Sequence, residues 1–342
     1  MNNFLIIRLS SLGDIIHTLP AFSALRKNSP EAKISWVVED KGREILDLVP
    51  GIDKTIVAYT EGWRINTKKF WAEISRLKRE LKNEKQIALD LQGLVKSGFL
   101  AFLSGSQKRV GFHRKNLREP LAALFYTDRL EEIPETIHVI SKNMKLLTRI
   151  GIQEEKYEFP LALPDELLEA VKAKLRKIGY DEQKKLILFN VGAAWKTKRW
   201  FPEKWVELIE MMKKKEFFSL LLWGNEEEKA LAAEVYEKSH VPLSPFFSLK
   251  EVMALVKESS LLVSGDTFAL QVACALFRPV VGIFGPSNPR RNGPFGPHDN
   301  VAFHEIKCSY CYKRTCPSLE CLKKITAQEV AALSLQLLEE NA

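Results

Sequence analysis

No apolar run in the 342 residues approaches the ~20 needed to span a bilayer, which removes a membrane-spanning helix from the candidates. The opening MNNFLIIRLSSLGD has one short apolar run but no basic start and no small-residue cleavage site. It reads as a buried first strand rather than a signal peptide, and the expectation is a cytoplasmic chain. That strand is not followed by GxGxxG, and no GxxxxGK(S/T) occurs anywhere, so a nicotinamide dehydrogenase and a Walker-type ATPase both lose their main signature. Nothing resembles a zinc finger or an RNP sequence, and there is no usable internal repeat or low-complexity tract. The Asp-x-Asp pattern that holds a metal on a diphosphate is also missing. Cysteines are few: five, with four in the series Cys308-x2-Cys311-x4-Cys316-x4-Cys321. In a reducing compartment that spacing suits a structural zinc site or ordinary thiols before disulfides; the second half lacks CxxC spacing, and Cys274 falls in a helix with core character.

What is present is an ordinary globular composition, 46% hydrophobic and 27% charged, in a length that fits two domains. Lys and Arg outnumber Asp and Glu by 51 to 43, a formal net charge of +8. The excess favours an anionic partner (nucleic acid, a phosphorylated ligand or an acidic membrane face) and also serves solubility.

Short apolar runs alternate with amphipathic stretches. Strands are expected at 4–9, 34–39 and 87–91, with weaker ones at 108–111 and 124–126, and helices at 15–27 and 68–81. Pro160 and Pro164 bracket a connection, Asp165 is a plausible N-cap, and a helix over 166–178 opens a second series. Its strands are expected at 186–191, 219–223, 261–264 and 280–284, with helices at 202–214, 226–239, 249–257 and 268–276. The pattern predicts two parallel α/β domains of Rossmann type facing across a cleft: residues 1–162, residues 163–325, and a closing helix at 326–342 able to pack back on the first domain. Ligands should gather at the carboxyl ends of the strands.

Five of those strand ends carry candidate chemistry. After the first strand, Ser11, Gly13 and Asp14 form a turn in which Asp14 is either a helix N-cap or a general base. The segment Ala193-Ala194-Trp195-Lys196-Thr197-Lys198-Arg199 combines small residues with cations, suiting a pyrophosphate or a basic surface turn. Asp266 and Thr267 precede an apolar helix whose first amides could hold an anion, with Asp266 capping, orienting amides or binding sugar hydroxyls. Glu226 and Glu227 could reach a ribose or simply begin a helix. The loop after the last strong strand adds Arg290 and Arg291.

The segments RLSSLGDIIHTLPA (8–21), DLQGLVKSG (90–98), REPLAALFY (118–126), KRWFPEKW (198–205), SGDTFALQVACAL (264–276) and GIFGPSNPRRNGPFG (282–296) resemble the ADP-heptose:lipopolysaccharide heptosyltransferases of glycosyltransferase family nine. They span almost the whole chain in the family's order. QGLVKS and REPLA..FY are most similar to the branch that adds the first core heptose, heptosyltransferase I. The resemblance implies the GT-B fold, an inner-membrane-associated cytoplasmic enzyme, ADP-heptose as donor, no required cofactor or metal, and Kdo-lipid A as acceptor.

It implies roles as well. Asp14 matches the catalytic base and Lys198 the lysine on the donor's phosphate or sugar. Gly13, Ala193, Ala194, Glu226, Asp266, Thr267, Phe268 and Gln271 fall at donor positions, Phe268 and Gln271 replacing the glycine and histidine often found there. Ser11, Lys96, Arg118 and His138 fall at acceptor positions. The stretch 63–69, with Arg64, Lys68 and Lys69, resembles a mobile basic loop over the acceptor and equally reads as a solvated helix end. The implied reaction is a single displacement with inversion. The resemblance leaves room for a second-heptose enzyme, a protein-modifying one, or a binding protein without turnover.

Overall fold

The structure, a computed structural model, describes residues 3–341 except 61–62, 64–66, 83–84, 215 and 297–298; nothing is said of the side chains of 67 and 68. The chain divides into two compact units, residues 1–162 and 163–342. Each is built on one wholly parallel sheet.

The first sheet takes β1 (Asn3–Ile7), β2 (Ile34–Val38), β3 (Lys54–Val57), β4 (Gln86–Asp90), β5 (Lys108–Gly111) and β6 (Asp128–Arg129) in the order β3-β2-β1-β4-β5-β6. The second takes β7 (Lys185–Asn190), β8 (Phe217–Leu222), β9 (Leu261–Gly265), β10 (Val280–Ile283) and β11 (Asp299–Ala302) in the order β11-β10-β9-β7-β8. These are the two common doubly wound orders, and in both the strand order reverses beside the first strand: between β1 and β4, and between β7 and β9. Central strands such as β2 and β9 are buried along their whole length, as parallel strands covered on both faces must be.

The helix expected over 15–27 is two helices, Leu12–Ile16 and Leu19–Asn28. Pro20 explains the break: it has no amide hydrogen and its ring clashes with the carbonyl of Ile16, so one helix ends and another begins. The strand expected at 124–126 is a 3-10 helix, Pro120–Phe125, and the partner of β5 is instead the short β6. Two edge strands, β3 and β11, were not expected; each buries one residue, Ile56 and Ala302. Asp165 is the first residue of helix Asp165–Arg176, and Pro164 occupies the N-cap.

The closing helix, Ala327–Glu340, belongs to the second unit. Ala327, Val330, Ala331, Leu337 and Leu338 share one core with Ile187, Phe189, Val263 and Ile283. Lys204 supports this corner by donating to the Lys323 and Ile325 carbonyls at the end of helix Glu320–Lys324.

Candidate functional site

At the first switch point the chain leaves β1 through Arg8 and turns at Ser11, the N-cap of helix Leu12–Ile16. Asp14 is therefore not the N-cap but the third residue of the helix, and Gly13 lies inside the first turn. One Asp14 oxygen closes a capping box, accepting from the Ser11 amide at 3.2 Å and the Ser11 hydroxyl at 2.9 Å. The other faces Arg8 Nη2 at 2.8 Å, with His17 Nδ1 at 3.8 Å.

Arg8 is nearly enclosed (7% exposed) whereas Asp14 keeps 31% of its side-chain surface. Arg8 also donates to the Leu91 carbonyl, and its own carbonyl accepts from Trp36 Nε1 at 3.3 Å. Burial alone would raise the Asp14 pKa; the Arg8 charge, His17 and the Ser11 amide outweigh it and hold the carboxyl well below the usual range. The result is an accessible carboxylate ionised at any physiological pH. His138 stands edge-on to His17, ring centroids 5.8 Å apart, and its Nδ1 accepts from the Ile140 amide.

The neighbouring strand ends complete this edge. Gln92 Oε1 accepts from the Leu9 and Ser10 amides at 2.6 and 3.3 Å, tying the β4 loop to the β1 loop. That loop is held by Asp90, which is fully buried and accepts from the Gln92 and Gly93 amides, the Ser97 hydroxyl and the Tyr126 hydroxyl. Burial raises the pKa values of both Asp90 and Tyr126. Gly111 makes the arrangement possible, because a Cβ there would stand 2.3 Å from the Tyr126 ring. Lys96 Nζ pairs with Glu39 at the end of β2, at 2.5 Å, and Glu39 also accepts from Thr60. Lys96 is thus reached, but already partnered. Arg118 is exposed, and Arg64 lies outside the described residues.

At the second switch point, Asn190 Nδ2 donates to Ser264 Oγ and Thr267 Oγ1, both at 2.9 Å, bridging the ends of β7 and β9. Thr267, not Asp266, caps helix Phe268–Ala275. Asp266 instead pairs with Lys198 at 2.5 Å, both side chains largely covered (13% and 16% exposed). The two loops run so close that a Cβ on Gly265 would stand 2.9 Å from the Lys198 carbonyl. Ala193 is buried, its carbonyl accepting from Arg199 Nε, and Ala194 is exposed. Lys196 and Arg199 both pair with Glu227, whose pKa is pulled down to about 2, chiefly by Arg199. Glu226 projects into solvent beside Lys229, while Glu228 is buried and accepts from the Gly224 amide. Gln271 is buried and donates to the Asn292 carbonyl at 2.8 Å, bracing the loop after β10.

One cation here was not anticipated. Lys198 Nζ sits 4.5 Å from the Trp195 ring centroid, and the guanidinium carbon of Arg314 lies over the same ring at 5.0 Å. Thr197 Oγ1 donates to the Lys313 carbonyl at 2.7 Å, pinning the cysteine-rich segment to this loop. Arg314 is exposed and makes no ion pair with a described carboxylate. The cysteines are free, and among the described residues no three metal-ligating side chains are arranged to hold an ion.

A doubly wound unit with an accessible carboxylate at its switch point, and another with amides and cations at its own, define a two-domain sugar-nucleotide transferase of the GT-B class. The chain belongs to glycosyltransferase family 9 (heptosyltransferase), whose model matches residues 74–322. It is 30% identical to lipopolysaccharide heptosyltransferase 1 of Pseudomonas aeruginosa over 319 residues, 91% of this chain and 86% of that protein. Among solved structures it is similar to the E. coli heptosyltransferase WaaC with ADP, at 26% identity and a TM-score of 0.77, covering 99% of this chain and 100% of that one. The same enzyme with ADP-2-deoxy-2-fluoro heptose gives 26% and 0.75 over the same shares.

Proposed function

We propose that the protein transfers L-glycero-D-manno-heptose from ADP-heptose to a Kdo hydroxyl of Kdo-lipid A, building the lipopolysaccharide inner core with inversion and without a metal. The observation that carries the reading is the Asp14 carboxylate: accessible, kept charged by a buried arginine, and set at the switch point of the first unit. The first unit holds the acceptor and the second the donor.

In the reaction Asp14 accepts the proton of the attacking hydroxyl as its oxygen bonds to the anomeric carbon. The bond from that carbon to the diphosphate breaks, and ADP leaves with the electron pair. A carboxylate with low proton affinity is a weak base, yet an oxocarbenium-like transition state lowers the demand on it. The hydroxyl becomes strongly acidic only once it has begun to bond, and Asp14 takes the proton then.

The departing diphosphate is met by Lys198, by the amides at 193–194 and 266–268, and by Arg314. Thr267 fixes the helix amides, Phe268 flanks them, and Gln271 acts through the loop it braces. Glu226 faces the ribose. On the acceptor side Ser11, Arg118 and His138 surround the Kdo sugar, and its carboxylate takes Lys96 from Glu39; Arg64, outside the described residues, is assigned to the same sugar by the family resemblance alone. The absence of Asp-x-Asp, beside these cations, supports the metal-free reading.

Incubation with ADP-heptose and Kdo-lipid A, with and without chelator, tests all parts at once. Mass analysis should show one added heptose at the same rate in both arms. An unmodified acceptor, or transfer abolished by chelator, overturns the corresponding part.

A further inference from the structure

Several large apolar side chains of the first unit are exposed, and they gather instead of scattering. In the 3-10 helix Pro120–Phe125, three residues per turn set Leu121 and Leu124 one above the other. They are 62% and 79% exposed. Alongside, helix Val95–Leu103 exposes Phe102 at 55%, its ring centroid 6.2 Å from that of Phe125. From Phe125 the ring contacts continue through Phe99, Trp63 and Phe70 to Trp71, which is 65% exposed. Four exposed apolar side chains joined by the half-buried rings of Phe125, Phe99, Trp63 and Phe70 call for a partner.

Its rim is cationic. The Arg109 guanidinium lies over the Phe102 ring at 5.7 Å while donating to the Phe125 and Ser106 carbonyls. Arg118, just before the cap of that 3-10 helix, is exposed, and the helix bearing Trp71 exposes Lys78 and Arg79 further along. The ridge also joins the site described above. Glu119 accepts from the Val95 amide at 2.7 Å, fastening the turn that presents Leu121 and Leu124 to the end of the helix that carries Lys96.

We propose that this ridge is a docking surface for an anionic lipid bilayer. Apolar side chains enter the headgroup layer and the arginines and lysines meet lipid phosphates. The proposal rests on the reading of the first unit as the acceptor side: a sugar standing on a lipid anchor meets Arg118 and Lys96 when the turn between them is seated on the membrane.

Vesicle co-sedimentation of the full chain tests it, using phosphatidylglycerol–phosphatidylethanolamine vesicles against phosphatidylcholine alone. The wild type should bind the anionic vesicles and lose binding as salt rises. The double variant Leu121→Ser, Leu124→Ser should bind about tenfold more weakly. The same variant should turn over a water-soluble, fully deacylated Kdo acceptor at the wild-type rate. A wild type that ignores anionic vesicles, or a variant that sediments as well as the wild type, overturns the docking surface. So does a wild-type dimer that the variant abolishes with no change in vesicle binding. If neither protein turns over the deacylated acceptor, the acceptor reading fails instead, and the vesicle result still decides the docking surface.

Discussion

The two switch points meet the same electrostatic problem from opposite sides. In the first, a carboxylate is wanted near the surface, and a nearly enclosed arginine six residues earlier keeps it charged. In the second a cation is wanted, and Asp266 neutralises Lys198 in the free protein. Asp266 looks wrong beside phosphates when read from sequence. In the structure it pairs with a largely covered lysine and fixes that lysine's position. The difference lies in access. Asp14 keeps 31% of its side-chain surface exposed although both of its oxygens are partnered, whereas the second site keeps its ion pair covered and adds an exposed arginine, Arg314, that no described carboxylate pairs.

Substitutions can break this comparison. The largest effect is expected from Asp14→Asn, which keeps the shape and removes the charge: turnover should fall by about 10²–10⁴. ADP affinity measured by calorimetry should hardly change; equal losses in both would make Asp14 structural. Next, Lys198→Ala should reduce kcat by about 10²–10³, because it removes a cation that stabilises the charge developing on the leaving diphosphate. Gly111→Ala should lower stability by about 1–3 kcal/mol in denaturant melts, by driving Tyr126 off Asp90. Smallest is Arg314→Ala, which should weaken ADP binding by about 1 kcal/mol, as an exposed cation does, and reduce its salt dependence. ADP affinity unchanged by that variant would leave Lys198 and the amides to carry the diphosphate.

Much of this architecture is legible in the order of residues alone. Period and punctuation locate the central strands of both sheets, since strands buried on both faces read as apolar runs. The edge strands β3 and β11 escape because each buries only one residue, and β6 is two residues long. Strand ends likewise locate Asp14, Lys198 and Thr267. Their partners do not show, because pairing is a property of the fold: Glu39 and Lys96 are 57 residues apart, Lys198 and Asp266 68.

Family motifs also mix chemistry with packing. In KRWFPEKW, Trp200 and Trp205 are buried edge to face at 5.2 Å and Lys204 caps a distant helix. In REPLAALFY, Tyr126 supports Asp90 and Glu119 fastens a helix end. Only contacts distinguish these from Lys198 or Arg118, which look alike in sequence.

Arg8 holds Asp14 ionised, and the acidic limb of the single-turnover rate reads this directly. The Asp14 pKa is depressed in the native protein, so its charge persists through the ordinary carboxylate range and is lost only as pH falls through the lowered value. Arg8→Met, in a variant shown by thermal melting to remain folded, should move that limb upward towards ordinary carboxylate pKa values. A limb at the same pH in both proteins would contradict the account.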